Sequence, residues 1–488
     1  MHGFARKAGL CAIAVVVLFT LTLSMVIPSP AVHAAAATSA VTINGATRYQ
    51  TIDGFGFSEA FGEAQAIENA PASERQQLLD LLFSPTTGAG LTILRNLFPS
   101  DANNTIEPVA PASPTSTPTY VPLGDSEGQV WLAKQAQHYG VRQFYGDAWS
   151  APGYMKTNGD EANGGALCGT PDATCSSGDW RQAYANYLLQ YYKDYLSDGI
   201  RLTEIGAYNE PNWTASYSSM VMNPTQTADF ISVLGPTLRA ARARTQIVCC
   251  DPVNWYAVQS YADGITSNPV ANAYTSIISS HGYGRGPDSP VTGIGNKRVW
   301  ETEWGDLSGN NSWDPSWDNG TAASGFTWAQ NIYTGMTAAN LSAFFWWWAI
   351  DAAYNVTDNG ILVQASNGTI NVSKRLWSFA NYSRYVRPGA RRIGATSSDS
   401  GLEVTGYRNL DGTLSIVVLN TSTSAVPATF SLQNVFLPPH SVVRSYVTDA
   451  NNNTAAQAPL AIHHGSFSAT VGPRALVTYT IAPDRDFF

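Results

Sequence analysis

Residues 205–212 read Ile-Gly-Ala-Tyr-Asn-Glu-Pro-Asn, an apolar strand that must end at its proline. Proline lacks the backbone donor that a sheet requires and restricts the residue before it, so Glu210 is predicted at the carboxyl end of a strand. Residues 297–305 repeat this arrangement, because an apolar strand ends there with Glu303 as its last carboxylate. A single glutamate at a strand end is more often a structural ion-pair partner than a functional group. Two in matching contexts favour a site built on paired acids.

Strand and helix patterns alternate on both sides of this segment. The strand candidates are Ile52–Ser58, Leu91–Asn96, Val141–Asp147, Leu202–Tyr208, Gln246–Asp251, Thr275–His281, Arg298–Glu303 and Ser342–Ala349. The helix candidates are Ser73–Phe83, with Ser73 as its N-cap, then Ser126–Tyr139, Asp179–Ser197, Thr225–Arg242, Tyr256–Gly264, Ala323–Ala339 and Ser373–Tyr385. Eight alternating units over about 340 residues predict an α/β fold, a (β/α)8 TIM barrel. Residues 99–123, rich in Pro, Ser and Thr, are predicted to be a long loop after the second strand.

The pattern changes beyond Arg391 to short alternating runs separated by Asp-Gly and by clusters of Asn, Thr and Ser. Such runs are typical of a small all-β domain. An isolated strand candidate, Val41–Thr51, precedes the barrel and has no role in it. We therefore divide the chain into residues 1–35, a signal peptide; 36–51, an N-terminal strand that joins a β-sandwich; 52–390, the catalytic barrel; and 391–488, the appended small all-β sandwich.

The first 35 residues are typical of a secretory signal, because Arg6 and Lys7 precede an uncharged apolar run and small residues follow it. An uncleaved anchor is the alternative, disfavoured by Pro28 and Pro30. We expect a secreted, extracellular monomer with no membrane attachment after cleavage. Losing Arg6 and Lys7 with no acid takes the formal net charge from −9 to −11. An acidic protein is a poor binder of nucleic acid, so a neutral polysaccharide or oligosaccharide is the expected partner.

Four of the five cysteines lie outside the predicted signal. Cys168 and Cys175 bracket a short polar loop, and export permits disulfides, so we expect a bond between them. Cys249 and Cys250 lie in an apolar strand and are interpreted as buried small hydrophobic residues rather than a redox pair. The seven histidines show no ligand spacing with these cysteines, so neither a metal nor a cofactor is expected.

The functional residues of a (β/α)8 barrel sit where its strands end. In this chain those positions hold Arg95, Trp149, Asn209, Glu210, His281, Tyr283, Glu303 and Trp348. Two carboxylates with aromatic rings and hydrogen-bond donors, and no phosphate loop or Ser-His pair, suit glycoside hydrolysis. One acid protonates the leaving oxygen, and the other carboxylate captures or stabilises the oxocarbenium-like centre. The fourth and seventh strands are predicted to bring Glu210 and Glu303 across the barrel mouth.

Several of these residues have competing structural interpretations. Glu301 lies about 6 to 7 Å deeper on the strand than Glu303, and Glu204 lies in mid-strand, so both are interpreted as structural acids. An ordinary hydrogen-bonded core histidine is nearly as good an interpretation of His281. Among tryptophans 346–348 at least one must pack in the core, because neighbouring strand residues face opposite sides, and Trp348 is predicted to floor the site. A barrel that binds polysaccharide without cutting it would lack one of the two acids, and both are present.

Six motifs lie at or beside the predicted strand ends. They are Gly54-Phe-Gly-Phe-Ser-Glu-Ala-Phe61, Leu94-Arg-Asn96, Trp149-Ser-Ala-Pro-Gly-Tyr-Met-Lys-Thr-Asn-Gly159, Asn209-Glu-Pro211, His281-Gly-Tyr283 and Thr302-Glu303. Together they resemble glycoside hydrolase family 30, in the clan of retaining (β/α)8 glycosidases. Residues 167–187 and 249–251 are similar to its subgroup of mainly fungal secreted xylanases.

The resemblance implies a role for each strand-end residue. Glu210 would be the general acid/base and Glu303 the nucleophile, kept ionised by donors such as Arg95 and Tyr283. Asn209 would bind the sugar 2-hydroxyl. The implied activity is that of a retaining endo-β-1,4-xylanase, while other family members act on glucosylceramide, β-1,6-glucan, β-1,6-galactan or fucosides.

One position departs from the subgroup pattern. In the members that cut glucuronoxylan, the loop after the first strand reads Ala-Phe-x-Arg-Ala, where the arginine grips the glucuronate carboxylate. Residues 60–64 here read Ala-Phe-Gly-Glu-Ala, so Glu63 replaces the arginine. A carboxylate repels glucuronate instead of binding it, which predicts that glucuronate is not required. The alternative is that Glu63 is solvated on the first helix and another cation binds the acid.

Overall fold

The structure is a computed structural model that describes residues 38–307, 313–351, 359–366 and 368–483. The predicted signal peptide, residues 1–35, lies outside the described residues. Within these ranges, each helix lacks the length or the apolar character that a bilayer span requires.

The strands run through the whole described chain. They are β1 (Ser39–Thr51), β2 (Gly54–Ser58), β3 (Ile93–Phe98), β4 (Gln143–Ala148), β5 (Glu204–Gly206), β6 (Gln246–Cys249), β7 (Thr275–Ser280), β8 (Arg298–Glu301), β9 (Ala343–Asp351), β10 (Ile361–Ser366), β11 (Thr369–Val372), β12 (Arg391–Ser397), β13 (Leu402–Arg408), β14 (Leu414–Asn420), β15 (Val426–Gln433), β16 (Ser441–Thr448), β17 (Ala455–Ala456), β18 (Leu460–Ala461), β19 (Ser466–Val471) and β20 (Leu476–Pro483).

In the part of the chain that the structure describes, one or two α-helices follow each of strands β2 to β9 except β7, with β10 and β11 inserted before the last helix. The helices are α1 (Glu63–Asn69), α2 (Ala72–Phe83), α3 (Gln129–His138), α4 (Arg181–Ser197), α5 (Pro224–Ala240), α6 (Val258–Ser267), α7 (Pro269–Tyr274), α8 (Gly325–Thr337) and α9 (Lys374–Ser383). Short α1 and α7 were not predicted. The proposed N-cap of α2 is wrong, because Pro71 precedes the first turn and Ser73 lies inside it. Helix α5 has a full capping box between Asn223 and Gln226.

Strands β2 to β9 form a closed parallel barrel. Each pairs with the next in the chain, and β9 also pairs with β2, which closes the ring. All eight overlap the predicted strand segments, so the predicted (β/α)8 barrel is confirmed. Its interior is filled by Ile93, Tyr145, Val248, Ile277, Trp300, Ala343 and Phe345. Because the interior is filled by these side chains, the functional cleft can form only at the mouth.

Strands β10 and β11 extend the barrel sheet beyond β9, whereas β1 and β12 to β20 form a separate all-β sheet with its own apolar core. Strand β1 lies inside this sheet, antiparallel to β12 and parallel to β15. Residues before the barrel thus complete a sheet whose other strands follow it. The sheet is joined to the barrel domain by two hydrogen bonds. Thr478 Oγ1 donates to the carbonyl of Asn381 in α9 at 2.6 Å, and Trp317 Nε1, in the loop before α8, donates to the Arg474 carbonyl at 2.6 Å.

Both cysteine pairs form disulfides. The Cys168–Cys175 bond is present as predicted. The interpretation of Cys249 and Cys250 is corrected, because these neighbours are buried, as expected, but are bonded to each other across a cis peptide. An apolar strand pattern predicts burial, whereas bonding between neighbours depends on local backbone geometry that the pattern does not encode.

Candidate active site

The structure brings together all eight residues proposed from the sequence. Glu210 and Glu303 lie in the loops that follow β5 and β8, the fourth and seventh barrel strands. Glu210, His281 and Glu303 each contribute one polar atom to a cluster whose members lie within 4.8 Å of one another. All three side chains are largely buried. The two acids therefore face each other at the barrel mouth, as the strand order predicted.

Both oxygens of Glu303 are held by donors. Arg95 Nη1 lies 2.5 Å from Oε2, and the Tyr283 hydroxyl donates to Oε1 at 2.8 Å. These are the two donors that the sequence analysis named. The backbone amide of Glu303 donates to Glu301 Oε1 at 2.8 Å, and the amide of Phe345 donates to Glu301 Oε2 at 3.0 Å. Glu301 is therefore a buried acid that ties β8 to β9, in agreement with its structural interpretation.

Arg95 is fully buried and organises the acids around it. Its Nη2 lies 2.7 Å from Asp147 Oδ2, 2.6 Å from Asn209 Oδ1 and 3.5 Å from Asp251 Oδ2. Burial opposes its charge, but Asp147, Glu303 and Asp251 together raise the pKa of Arg95 well above its usual value. The guanidinium also lies 4.3 Å from the Trp149 ring centroid. The arginine thus holds Glu303 and Asn209 in fixed positions.

Asp147 and Asp251 were not proposed from the sequence. Burial raises the pKa of Asp147 well above its usual range. Burial also opposes the charge of Asp251, but His281, whose Nε2 lies 3.9 Å from Asp251 Oδ2, and the charge of Arg95 outweigh it and lower the pKa. Gly206 leaves room for this layer, because a Cβ there would lie 2.1 Å from Asp147 Oδ1. No sequence signal marks the two acids beyond their place at strand ends.

His281 is fully buried and lies against both acids. Its Nδ1 lies 3.0 Å from Glu210 Oε1, and its Nε2 lies 3.7 Å from Glu303 Oε2. Burial lowers the pKa of His281, but the charge of Glu303 and the contacts with Asp251 and Glu210 outweigh burial and raise it to about 10. An imidazolium is therefore placed between the two facing acids.

His281→Gln is expected to flatten the pH dependence of stability between about pH 6.5 and 10. Unfolded histidine titrates near 6.5, and the folded pKa is about 10, so the charge of His281 stabilises fully below pH 6.5. That contribution is lost as the pH rises through 10. Urea unfolding of both proteins at pH 6, 8 and 10 measures the difference in unfolding free energy. The difference in unfolding free energy between the wild type and His281→Gln should shrink as the pH rises. A constant or growing difference contradicts a charged His281.

The acids open into an aromatic cleft of about 820 Å³. Its lining is Phe61, Trp149, Glu210, Trp213, Tyr217, Val253, Tyr283, Gly284, Glu303, Trp304, Gly305, Asp306, Leu307, Trp347 and Trp348. Sequence analysis found Trp149, Tyr283 and Trp348 but missed the other aromatic residues. Most of those missed lie in loops, where neither period nor strand end marks a side chain as facing the cleft.

A β-bulge explains why two neighbouring tryptophans share the cleft. Gly56 pairs with Phe345, whereas Ser58 pairs with Trp348, so β9 carries one extra residue between these pairs. Trp347 and Trp348 both line the cleft and stack with centroids 5.0 Å apart. Trp346 instead packs in the core against Trp328, with ring centroids 4.3 Å apart. The expectations for a core tryptophan and for Trp348 at the site are met, and Trp347, which sequence analysis did not assign to the site, also lines the cleft because the bulge interrupts strict alternation.

The position of Glu63 corrects both interpretations made from the sequence. Glu63 is buried and does not line the cleft, so it neither faces substrate nor lies in solvent. Burial, followed by the charge of Glu63, raises the pKa of neighbouring Glu59 well above its usual value. The reason is the left-handed turn at Phe61 and Gly62, which turns the phenyl ring into the cleft and starts α1 at Glu63.

A (β/α)8 barrel with two facing carboxylates in an aromatic cleft defines the class, a glycoside hydrolase. Residues 120–350 match the glycosyl hydrolase family 30 TIM-barrel domain, and residues 389–443 match the family 30 beta sandwich domain. The chain belongs to glycosyl hydrolase family 30, as the motifs predicted.

Relatives with different substrates are similar to this chain. The catalytic domain of GH30 xylanase C from Talaromyces cellulolyticus is 41% identical with a TM-score of 0.84, covering 91% of this chain and 100% of that one. Endo-1,6-beta-D-glucanase BGN16.3 of Trichoderma harzianum is 27% identical over 76% of this chain and 78% of its own. Lysosomal acid glucosylceramidase of Mus musculus is 25% identical over 64% of this chain, which spans 63% of that relative.

Proposed function

We propose that this protein is a secreted retaining endo-β-1,4-xylanase that cleaves xylan by double displacement. The observation that carries the proposal is the approach of Glu210 and Glu303, whose contributing oxygens lie within 4.8 Å of each other. Retaining glycosidases hold their carboxyl groups about 5 to 5.5 Å apart, whereas inverting enzymes leave about 6.5 to 9.5 Å for a water molecule.

In the first step, an oxygen of Glu303 attacks the anomeric carbon. Glu210 donates its proton to the glycosidic oxygen, the glycosidic bond breaks, and a covalent ester joins the sugar to Glu303. In the second step, Glu210 takes a proton from water, whose oxygen displaces Glu303 from the anomeric carbon. The two inversions restore the starting configuration, and both acids regain their initial protonation states.

The neighbouring residues have positioning roles in this proposal. Arg95 and Tyr283 bind separate oxygens of Glu303, which fixes the direction in which the carboxylate points. Arg95 also holds Asn209 Oδ1 at 2.6 Å, which orients the amide for the sugar 2-hydroxyl. Trp149 and Trp348 offer flat apolar walls to the sugar rings.

The choice of xylan rests on the similarity to a fungal family 30 xylanase at 41% identity. The cleft supports a neutral polymer, because its lining includes Glu210, Glu303 and Asp306 and contains no lysine or arginine among the described residues. Reducing-sugar release from xylan, β-1,6-glucan and β-1,6-galactan tests the substrate. Proton NMR of the first products tests retention, since an initial α-anomer would exclude the mechanism. Release of reducing sugar from β-1,6-glucan alone would show that β-1,6-glucan, and not xylan, is the substrate.

Linear xylo-oligosaccharides are expected to be cut at least as fast as glucuronate-bearing ones of equal length. The acidic lining repels a carboxylate, and Glu63 is too deeply buried to take part. Competition between the two oligosaccharides, followed by mass spectrometry, gives the ratio of kcat/KM directly. Leu307→Arg places a cation at the exposed rim and should raise the acidic-to-neutral ratio by about tenfold, or about 1.4 kcal/mol. A wild-type preference for the acidic oligosaccharide would contradict the expectation.

Export is part of the proposal. The Cys168–Cys175 and Cys249–Cys250 disulfides fit an oxidising compartment. Expression of the full chain with its own leader, followed by amino-terminal sequencing of the protein in the medium, tests the predicted cleavage near residue 35. Retention of the chain within the cell would contradict secretion.

A further inference from the structure

Exposed aromatic rings continue beyond the cleft along one rim. Trp213 and Tyr217 line the cleft in the loop after β5 and are both about half exposed. Tyr256, in the loop after β6, is 70% exposed and lies outside the cleft lining. A single exposed ring is ordinary on a protein surface, so its meaning depends on what holds it and what adjoins it.

Two loops that line the cleft lead directly to Tyr256. Val253 lines the cleft three residues before it, and Gly284 lines the cleft next to Arg285. The Trp255 amide donates to the Arg285 carbonyl at 3.0 Å, which fastens the two loops together. The buried Trp255 ring anchors the same place, because its Nε1 donates to the Ser289 carbonyl at 2.9 Å. Tyr256 and Arg285 therefore sit immediately past the rim, on a braced surface.

The Tyr256 ring is held by a cation–π contact with the guanidinium of Arg285. The Arg285 guanidinium carbon lies 4.9 Å from the ring centroid. Two further bonds fix the guanidinium, from Nε to Asp288 Oδ2 at 2.9 Å and from Nη2 to Asp288 Oδ1 at 2.8 Å. The cation covers one face of the ring, and the high exposure of the side chain leaves the other face to solvent.

We propose that Tyr256, backed by Arg285, is a distal sugar-binding subsite that extends the cleft for a polymeric substrate. A flat ring fixed on one face offers its other face to the apolar C–H face of a pyranose. Asp288 offsets the charge of Arg285, so the subsite suits an uncharged sugar unit. The ring lies beyond the volume that encloses the reacting sugars, so it contacts only substrates long enough to pass the rim. The choice of xylan as substrate rests on the proposed function.

The test is the ratio of kcat/KM for a long oligosaccharide to that for a short one. Xylohexaose and an aryl β-xylobioside are compared in the wild type, Tyr256→Ala and Tyr256→Phe. Tyr256→Ala should lower the long-to-short ratio by about tenfold, and Tyr256→Phe should preserve it because the ring remains. The matched control is Phe436→Ala, an equally exposed ring, at 70%, in the loop between β15 and β16 of the all-β sheet. Its ratio should equal that of the wild type.

An unchanged ratio in Tyr256→Ala, or an equal fall in Phe436→Ala, would overturn the subsite. Failure of the proposed function gives a different result, since the wild type would then release no sugar from xylan. In that case the same ratio is measured with long and short oligosaccharides of the polymer that the enzyme does cut. A tenfold fall in Tyr256→Ala would then support the subsite for that polymer, and an unchanged ratio would overturn it.

Discussion

Glu303→Gln is expected to lower kcat on xylan by at least about 10⁴-fold while the fold is retained. A glutamine amide cannot form the glycosyl ester, yet its carbonyl oxygen can still accept from Arg95 and its NH2 group can donate to the Tyr283 hydroxyl oxygen, the two groups that hold Glu303 in the wild type. Steady-state kinetics measure the loss, and circular dichroism with thermal unfolding checks the fold. If this substitution left normal activity and Glu301→Gln removed it, the nucleophile would lie one pleat deeper.

A chemical rescue identifies the role of each acid separately. Glu303→Gly with azide and an activated aryl glycoside should yield an α-glycosyl azide, because azide then occupies the place of the nucleophile. Glu210→Ala under the same conditions should yield a β-glycosyl azide, because Glu303 still forms the ester and azide displaces it. Exchanged products would mean that the two roles are reversed. Glu301→Gln is the matched control, since this buried acid binds two backbone amides and lies outside the cleft lining.

Arg95→Met is expected to lower the free energy of unfolding by about 3 to 5 kcal/mol near neutral pH. The substitution leaves Asp147, Asp251 and Glu303 buried without the cation that joins them. Arg95 lowers the pKa of Asp251, so this part of its contribution is present above the unfolded aspartate pKa near 3.9 and is lost as the pH falls. The difference from the wild type should therefore shrink in acid.

Chemical unfolding of both proteins at pH 7, 4 and 2.5 measures this difference, because the loss falls between the unfolded aspartate pKa near 3.9 and the lower folded pKa of Asp251. Arg95→Lys is the informative partner variant, because it keeps the charge but loses the forked geometry that reaches several acceptors at once. It should lose less stability than Arg95→Met and still lose most activity, since Glu303 is no longer aimed. An Arg95→Met protein as stable as the wild type at pH 7 would contradict the network.

The order of the barrel strands and the depth of each acid along its strand were predictable from local sequence. A strand that runs into Asn-Glu-Pro must stop there, and parallel strands carry their ends to one face, so Glu210 and Glu303 could be paired across the mouth. Side-chain period also placed Glu301 one pleat below Glu303, where the structure has it binding two backbone amides. These features depend on residues close together in the chain.

Only the tertiary structure decided which side chains surround the acids. Arg95 meets Glu303 across 208 residues of chain, and the bulge in β9 lets the neighbours Trp347 and Trp348 share the cleft against strict alternation. The turn at Phe61 buries Glu63, and the braced loops behind Tyr256 come from different barrel units. Hydrophobic period and secondary-structure propensity describe residues that are neighbours along the chain. Burial, charge contacts and ring contacts depend instead on which distant segments pack together. Local sequence therefore determined the barrel and its two acids, and packing determined the chemistry around them.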